Sequence, residues 1–265
     1  MSCRLEEFYR ELLGAGALAR LEEFVAPSYV PHVPVFASSG PTPGIDALRA
    51  RLAALGPVTH RLARLVVDGQ LAFAHVLYGG TDPVAGVDVF RFDAQARIAE
   101  HWNVRQPLAG DSAACAARFA DSMPAAVDFP FAREWVRTRM ETMLAEVWRR
   151  GRAEMVQDFY AESYIQHNPD MPGGFDRIRQ VVQHDIGRYI ERSGGPFPIT
   201  VHHLGAEGDL ACVHLSIFMA GLNRNEGARS TNVDIFRLDR HGRMIEHWDV
   251  LQIEGIALAA SARIF

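Results

Sequence analysis

The chain has 265 residues, 48% of them hydrophobic and 22% charged, the balance of an ordinary globular protein and long for one compact α+β domain. A formal net charge of −5 and a pI near 6.1 give no drive toward phosphate backbones or anionic lipid, so nucleic acid and membrane are excluded as expected partners. Cys3, Cys115 and Cys212 form neither an even set nor a metal-type spacing, and Arg4, Glu6 and Glu7 stand where a signal peptide needs apolar residues; a cytoplasmic location is expected.

In chain order, Leu5, Phe8, Leu12 and Leu13 recur at three-to-four spacing and predict a helix, and a second amphipathic helix follows Gly44. Strand-like runs follow at 61–67, 71–78, 86–92 and 97–106. Residues 111–130, with Ser112, Pro124 and Pro130, read as a linker whose Ala-rich stretch 113–120 has helical composition. Val136, Met140, Met143, Leu144 and Val147 then predict another helix, a further one follows Gly173 and Gly174, and strands are expected at 197–204, 210–220, 230–238 and 243–253. Asp239 to Gly242 reads as the last hairpin turn.

This order repeats. Val87 to Asp93 (VDVFRFD) reappears as Val233 to Asp239 (VDIFRLD), and Arg97 to Gln106 (RIAEHWNVRQ) as Arg243 to Gln252 (RMIEHWDVLQ). Tyr29-Val30-Pro31-His32 likewise corresponds to Tyr164-Ile165-Gln166-His167. The chain is therefore a tandem duplication, with domains expected at 1–110 and 131–265, and helices followed by strands argue for α+β units, each with helices on one face of a curved antiparallel sheet.

The segment VDIFRLDRHGRMIEHWDVLQ, together with Tyr164-Ile165-Gln166-His167-Asn168-Pro169, resembles the SnoaL-like polyketide cyclase group of the NTF2-like superfamily. The resemblance implies cone-shaped (cystatin-like) α+β barrels enclosing an apolar pocket. It does not fix a reaction, because the superfamily holds isomerases, cyclases, epoxide hydrolases and binding modules. It also implies that Asp249 matches the pocket aspartate of the cyclases. Asp234 matches the neutral, hydrogen-bond-donating aspartate of ketosteroid isomerases, and His167 falls where those isomerases hold their base.

Strand alternation places His247 and Asp249 on one face and Glu246, Trp248 and Val250 on the other, while Asn232, Asp234 and Phe236 share a face of the preceding strand. Carboxylates on an apolar face suit general acid/base work, since burial raises their pKa toward neutrality; the plain alternative is that both are satisfied structural groups. His214, expected to share its face with Cys212, Ser216 and Phe218, completes the catalytic candidates Asp249, His167, Asp234 and His214. Tyr164, Asn168, Cys212, Phe218, Phe236 and His247 are expected to line the pocket. No close-spaced ligand motif supports a metal, so neither metal nor cofactor is expected.

The first copy keeps His32, His75, Asp88 and His101, but has Val33 for Asn168 and Asn103 for Asp249, so its site is expected to be degenerate. Trp102 and Trp248, with outward Val213, Leu215, Ile217 and Met219, are expected on the convex face. That face would serve an intrachain pseudo-dimer, with a homo-oligomer also open. The function expected is proton transfer on a small apolar carbonyl compound, in a cyclisation or isomerisation. Epoxide hydrolysis or opening, and non-catalytic binding, are the alternatives.

Overall fold

The computed structural model describes residues 1–32, 42–80, 82–110, 112–126, 128–168, 171–218 and 228–255. Val33, Pro169, Met219 and Ala220 of the sequence reading lie outside them. The chain divides into two compact units, Met1–Ala116 with Val250–Phe265, and Ala117–Asp249.

In the first unit α1 (Ser2–Glu7) runs on as a π-helical segment, Phe8–Gly14, and buries Leu5, Phe8, Leu12 and Leu13 as the three-to-four spacing requires. A short α2 (Leu21–Phe24) leads into β1 (Val25–His32) and, after Gly44 at φ 100°, α3 (Ile45–Leu55). The strands β2 (His60–Asp68), β3 (Leu71–Tyr78), β4 (Val84–Phe92) and β5 (Ile98–Pro107) follow, and the sheet order is β1-β5-β4-β3-β2. After α4 (Ser112–Ala117), the second sheet repeats the plan. α5 (Arg133–Met143) continues as the π segment Leu144–Arg149, and α6 (Val156–Phe159) leads into β6 (Tyr160–Gln166). α7 (Gly174–Gln180) and α8 (Gly187–Ser193) are joined by a third π segment, Val181–Ile186. Then come β7 (Ile199–Glu207), β8 (Leu210–Phe218), β9 (Arg229–Leu238) and β10 (Met244–Ile253), ordered β6-β10-β9-β8-β7.

The eight strands expected from hydrophobic alternation are present, but each sheet gains a fifth and is mixed: β1 runs parallel to β5, and β6 to β10. Pro27 and Pro31 hide β1 from a reading by strand propensity, and proline is tolerated there because β1 is an edge strand. The Asp239–Gly242 turn forms as expected, with Asp239 Oδ1 accepting from the amides of His241 and Arg243, and Gly242 at φ 72°. The equivalent turn of the first domain places Ala96 at φ 56°, where a side chain is strained.

Register decides which side chains face the helices. In the first sheet Asp88 lies opposite Asn103 and Phe90 opposite His101, all on the helix-covered face. In the second, Asp234 lies opposite Val213 and Phe236 opposite Ala211, and Val213, Leu215, Phe236 and Leu238 belong to the helix-packed core. Val213, Leu215 and Ile217 therefore pack inward, contrary to the outward placement expected from sequence.

The Glu-His-Trp segment shared by the copies splits between faces. Its glutamate and tryptophan point away from the helices and build the same cluster twice. His32 meets Glu100 at 2.8 Å and stacks on Trp102 at 4.3 Å, while Arg91 reaches Glu100 at 3.3 Å. His167 meets Glu246 at 2.7 Å and stacks on Trp248 at 5.3 Å, while Arg237 reaches Glu246 at 3.2 Å. In the second unit this cluster also holds the preceding segment, since Glu246, fully buried, accepts from the amides of Ser122 and Met123, and Trp248 Nε1 donates to Ala120 O at 2.9 Å. Trp248 is buried; Trp102 is only half-buried.

Candidate functional site

The inward residues of β9 and β10 bring together Asp234, His247 and Asp249, each offering one donor atom within 4.8 Å of the other two. His247 Nε2 lies 3.3 Å from Asp234 Oδ1, and its ring stacks on Phe236 at 4.5 Å. Asn168, just beyond β6, donates from Nδ2 to Asp249 Oδ2 at 2.7 Å. Burial, opposed by nearby His247 and reinforced by the charge of Asp234, raises the Asp249 carboxyl above its ordinary 3.8, in the direction that lets it hold a proton closer to neutrality.

Several polar atoms here are buried without a hydrogen-bond partner among the described residues: Asp249 Oδ1, Asn232 Oδ1, Gln166 Nε2 and the Tyr164 hydroxyl. Buried polar atoms normally find partners, so such a concentration asks for water or a ligand. Burial first, and then Tyr160, Asp249 and Asp234, push the Tyr164 hydroxyl well above 10, which keeps it a neutral donor.

The first domain fills the same place with its own side chains. Asp88, fully buried, accepts from Tyr9 OH at 2.6 Å, from His101 Nε2 at 2.9 Å, from Tyr78 OH and from the guanidinium of buried Arg105. Burial alone would raise this carboxyl, but Arg105 and the hydrogen bonds outweigh it and hold it well below the usual range. Gly86 makes the room: a Cβ there would stand 2.7 Å from the Tyr78 ring and 2.9 Å from the Arg105 guanidinium. By the repeat, Tyr9, Tyr78 and Arg105 correspond to Leu144, Ile217 and Leu251, Gly86 to Asn232 and Asn103 to Asp249. The second domain thus has one more carboxylate and none of the three donors that neutralise Asp88.

Tyr164, Asn168, Phe236, His247, Asp234 and Asp249 lie on this face or at its edge, whereas four other expected site residues do not. His167 is bound to Glu246 and Trp248 on the opposite face, because it follows inward-pointing Gln166 and strand alternation turns it outward. His214 and Cys212 lie opposite Val233 and Ile235, which alternate with Asp234, so they too face away from it. His214 is held by His203 at 3.0 Å and Thr231 at 3.1 Å; burial, with His203 and His202 adding, pushes it down to about 3 and keeps it neutral. Phe218 lies on that same outer face and is exposed. Gln166 and Asn232 were missed as site residues, though both differ between the copies at inward positions. An open groove of about 560 Å³ between Glu162–Tyr164 and the start of α7 contains neither aspartate.

The SnoaL-like domain family matches residues 5–101 and 140–247. The chain belongs to that family, twice over. Among solved structures it is similar to TsrD from Streptomyces laurentii, at 22% identity over 46% of this chain and 91% of that one, with a TM-score of 0.36. It is also similar to a steroid delta-isomerase from Pseudomonas aeruginosa (21% identity, 40% and 80% covered, TM-score 0.34). A third is an LEH-like epoxide hydrolase from M. tuberculosis (15% identity, 45% and 84% covered, TM-score 0.33). No curated protein matches. Among the described residues, no helix is long and apolar enough to cross a membrane.

Proposed function

We propose that the second domain is an acid/base enzyme of the polyketide-cyclase type. It would take up a small apolar carbonyl compound and move a proton next to the carbonyl, leading to ring closure or a double-bond shift. The observation that supports this most is the contrast between the copies: where Tyr9, Tyr78 and Arg105 neutralise Asp88, the second domain sets aliphatic residues and an added carboxylate, Asp249. In this reading Asp249 Oδ1 takes the proton from carbon, Asn168 holds Oδ2, and the Tyr164 hydroxyl donates to the oxygen on which charge develops. Asp234 orients His247.

Deuterium uptake from D2O at the carbon next to the carbonyl of apolar cyclic ketones, followed by proton NMR, tests this without knowledge of the natural substrate. Exchange is expected with the parent protein and not with an Asp249→Asn variant. Because the three donors also lie close enough to hold a cation, the same assay is run after chelator treatment. Unchanged exchange is expected, and its loss would replace this reading with a metal-dependent one.

A further inference from the structure

We infer that Gln166 is a positioning residue: it fixes which nitrogen of His247 is protonated, and so gives the Asp234–His247 pair a transferable proton that the corresponding pair of the first domain lacks. The catalytic use of that proton rests on the acid/base reading above; the placement of the proton does not.

Hydrogen-bond accounting carries the inference. The backbone amide of Asn168 donates to Gln166 Oε1 at 2.9 Å, which sets the orientation of the side-chain amide. The same oxygen lies 3.0 Å from His247 Nδ1 and can only accept, so Nδ1 bears a hydrogen. Nε2 faces Asp234 Oδ1 at 3.3 Å. With Asp234 ionised, this contact requires a hydrogen on Nε2 and an imidazolium; with His247 neutral, it requires a protonated Asp234. In either state one proton is shared between them. The ring also stacks on Phe236 and Tyr164 and lies near the Asp249 carboxyl; among the described residues Gln166 is the acceptor at Nδ1.

In the first domain the arrangement is reversed. His101 Nε2 faces Asp88 Oδ1 at 2.9 Å, and that carboxylate is kept ionised by Arg105, so Nε2 is the protonated nitrogen. Nδ1 then accepts from the Tyr29 hydroxyl at 3.1 Å, and burial keeps the ring neutral. Pro31 stands where the second domain has Gln166 and offers no side-chain acceptor. The exchange frees the counterpart of Tyr29: the Tyr164 hydroxyl, 4% exposed by residue, has no hydrogen-bond partner among the described residues. One inward residue therefore both turns the imidazole's hydrogen to the other nitrogen and releases a phenol for the ligand. In the reaction the C–H bond breaks toward Asp249, its electron pair moves onto the carbonyl oxygen, and the Asp234–His247 proton neutralises that oxygen; both protons return when product forms.

The test is a nitrogen-15 NMR measurement on the full chain without ligand, since imidazole nitrogen shifts distinguish the two tautomers. At neutral pH His247 is expected with Nδ1 protonated, and His101 in the same sample with only Nε2 protonated. Gln166→Met removes the acceptor at similar volume and is expected to move the His247 hydrogen to Nε2 and to lower deuterium uptake tenfold or more, since an imidazole held in the wrong tautomer can cost about 10⁴-fold. Gln166→Glu retains an acceptor and is expected to keep the parent tautomer and at least a third of the rate. A neutral His247 protonated only at Nε2 in the parent overturns the inference, even if Gln166→Met does not fold. So does an unchanged tautomer in Gln166→Met. Absence of exchange by the parent, with the tautomer as stated, overturns the acid/base reading alone.

Discussion

Replacing Asp249 by asparagine should stop catalysis and strengthen the fold. The molecule already contains the product of this change, because Asn103 occupies the equivalent place beside Asp88. An asparagine keeps the oxygen that accepts from Asn168 at 2.7 Å, and its shape is nearly that of aspartate, so packing survives. What is lost is a transferable proton, worth about 10²- to 10⁴-fold in rate, or roughly 3–5 kcal/mol at the transition state. The stability change has the opposite sign. Burial raises the folded-state pKa of Asp249 above 3.8, so the folded chain binds this proton more tightly than the unfolded one. Such a group contributes stability that is complete below the unfolded carboxyl range, about pH 4, and lost as pH rises through the folded value. At pH 7 the parent therefore bears a penalty that Asp249→Asn removes, a gain expected within the range of an ordinary single stabilising substitution, about 0.5–2 kcal/mol. Urea unfolding at pH 7 and pH 4 measures it, and the gain should shrink at the lower pH. A variant keeping half the parent exchange rate would refute the catalytic role, and one less stable than the parent at pH 7 would refute the electrostatic account.

Arg105→Leu, which gives the first domain the residue of the second, leaves the buried Asp88 carboxylate without its cation and should cost about 3–5 kcal/mol; adding Asp88→Asn should recover most of it in a double-mutant cycle by urea unfolding. His214 is held at about 3 in the folded chain, so the unfolded chain gains a proton first as pH falls from about 6.5, and stability declines over that window; His214→Gln should flatten the decline by roughly 1.4 kcal/mol per pH unit. Gly242→Ala should destabilise by at least about 1–2 kcal/mol, because the added Cβ would run into the Trp135 ring and φ is positive, whereas Ala96→Gly should be neutral or stabilising by up to about 1 kcal/mol in thermal unfolding.

Periodicity exposed the eight repeated strands and their turns because antiparallel hairpins are local and alternate cleanly. It missed β1 and β6 because a parallel edge strand has no hairpin to announce it, and β1 carries two prolines. Asp234, His247 and Asp249 were legible for the same reason, since all three sit on one hairpin. His214 was assigned to the wrong face because the relation between β8 and β9 depends on register: Asp234 pairs with Val213, one residue away, and a one-residue difference inverts the face. His167 was misplaced because a resemblance gives a position in the alignment, whereas the neighbouring Gln166 holds the inward place. The donors that neutralise Asp88 come from a helix and two strands, Tyr9, Tyr78 and Arg105, and only the fold makes them neighbours.

The filling of the first site also sets the order in which mutations could reopen it. Asn103→Asp alone would add a carboxylate beside an Asp88 already neutralised by Arg105, and Arg105→Leu alone would strand Asp88 in the core. Pro31 would still lack the amide of Gln166, and Tyr9 and Tyr78 would still stand where the second domain has Leu144 and Ile217. Each step back is neutral or harmful until several are taken together, so the two halves of this chain are divided by an epistatic barrier that their shared sheet order does not reveal.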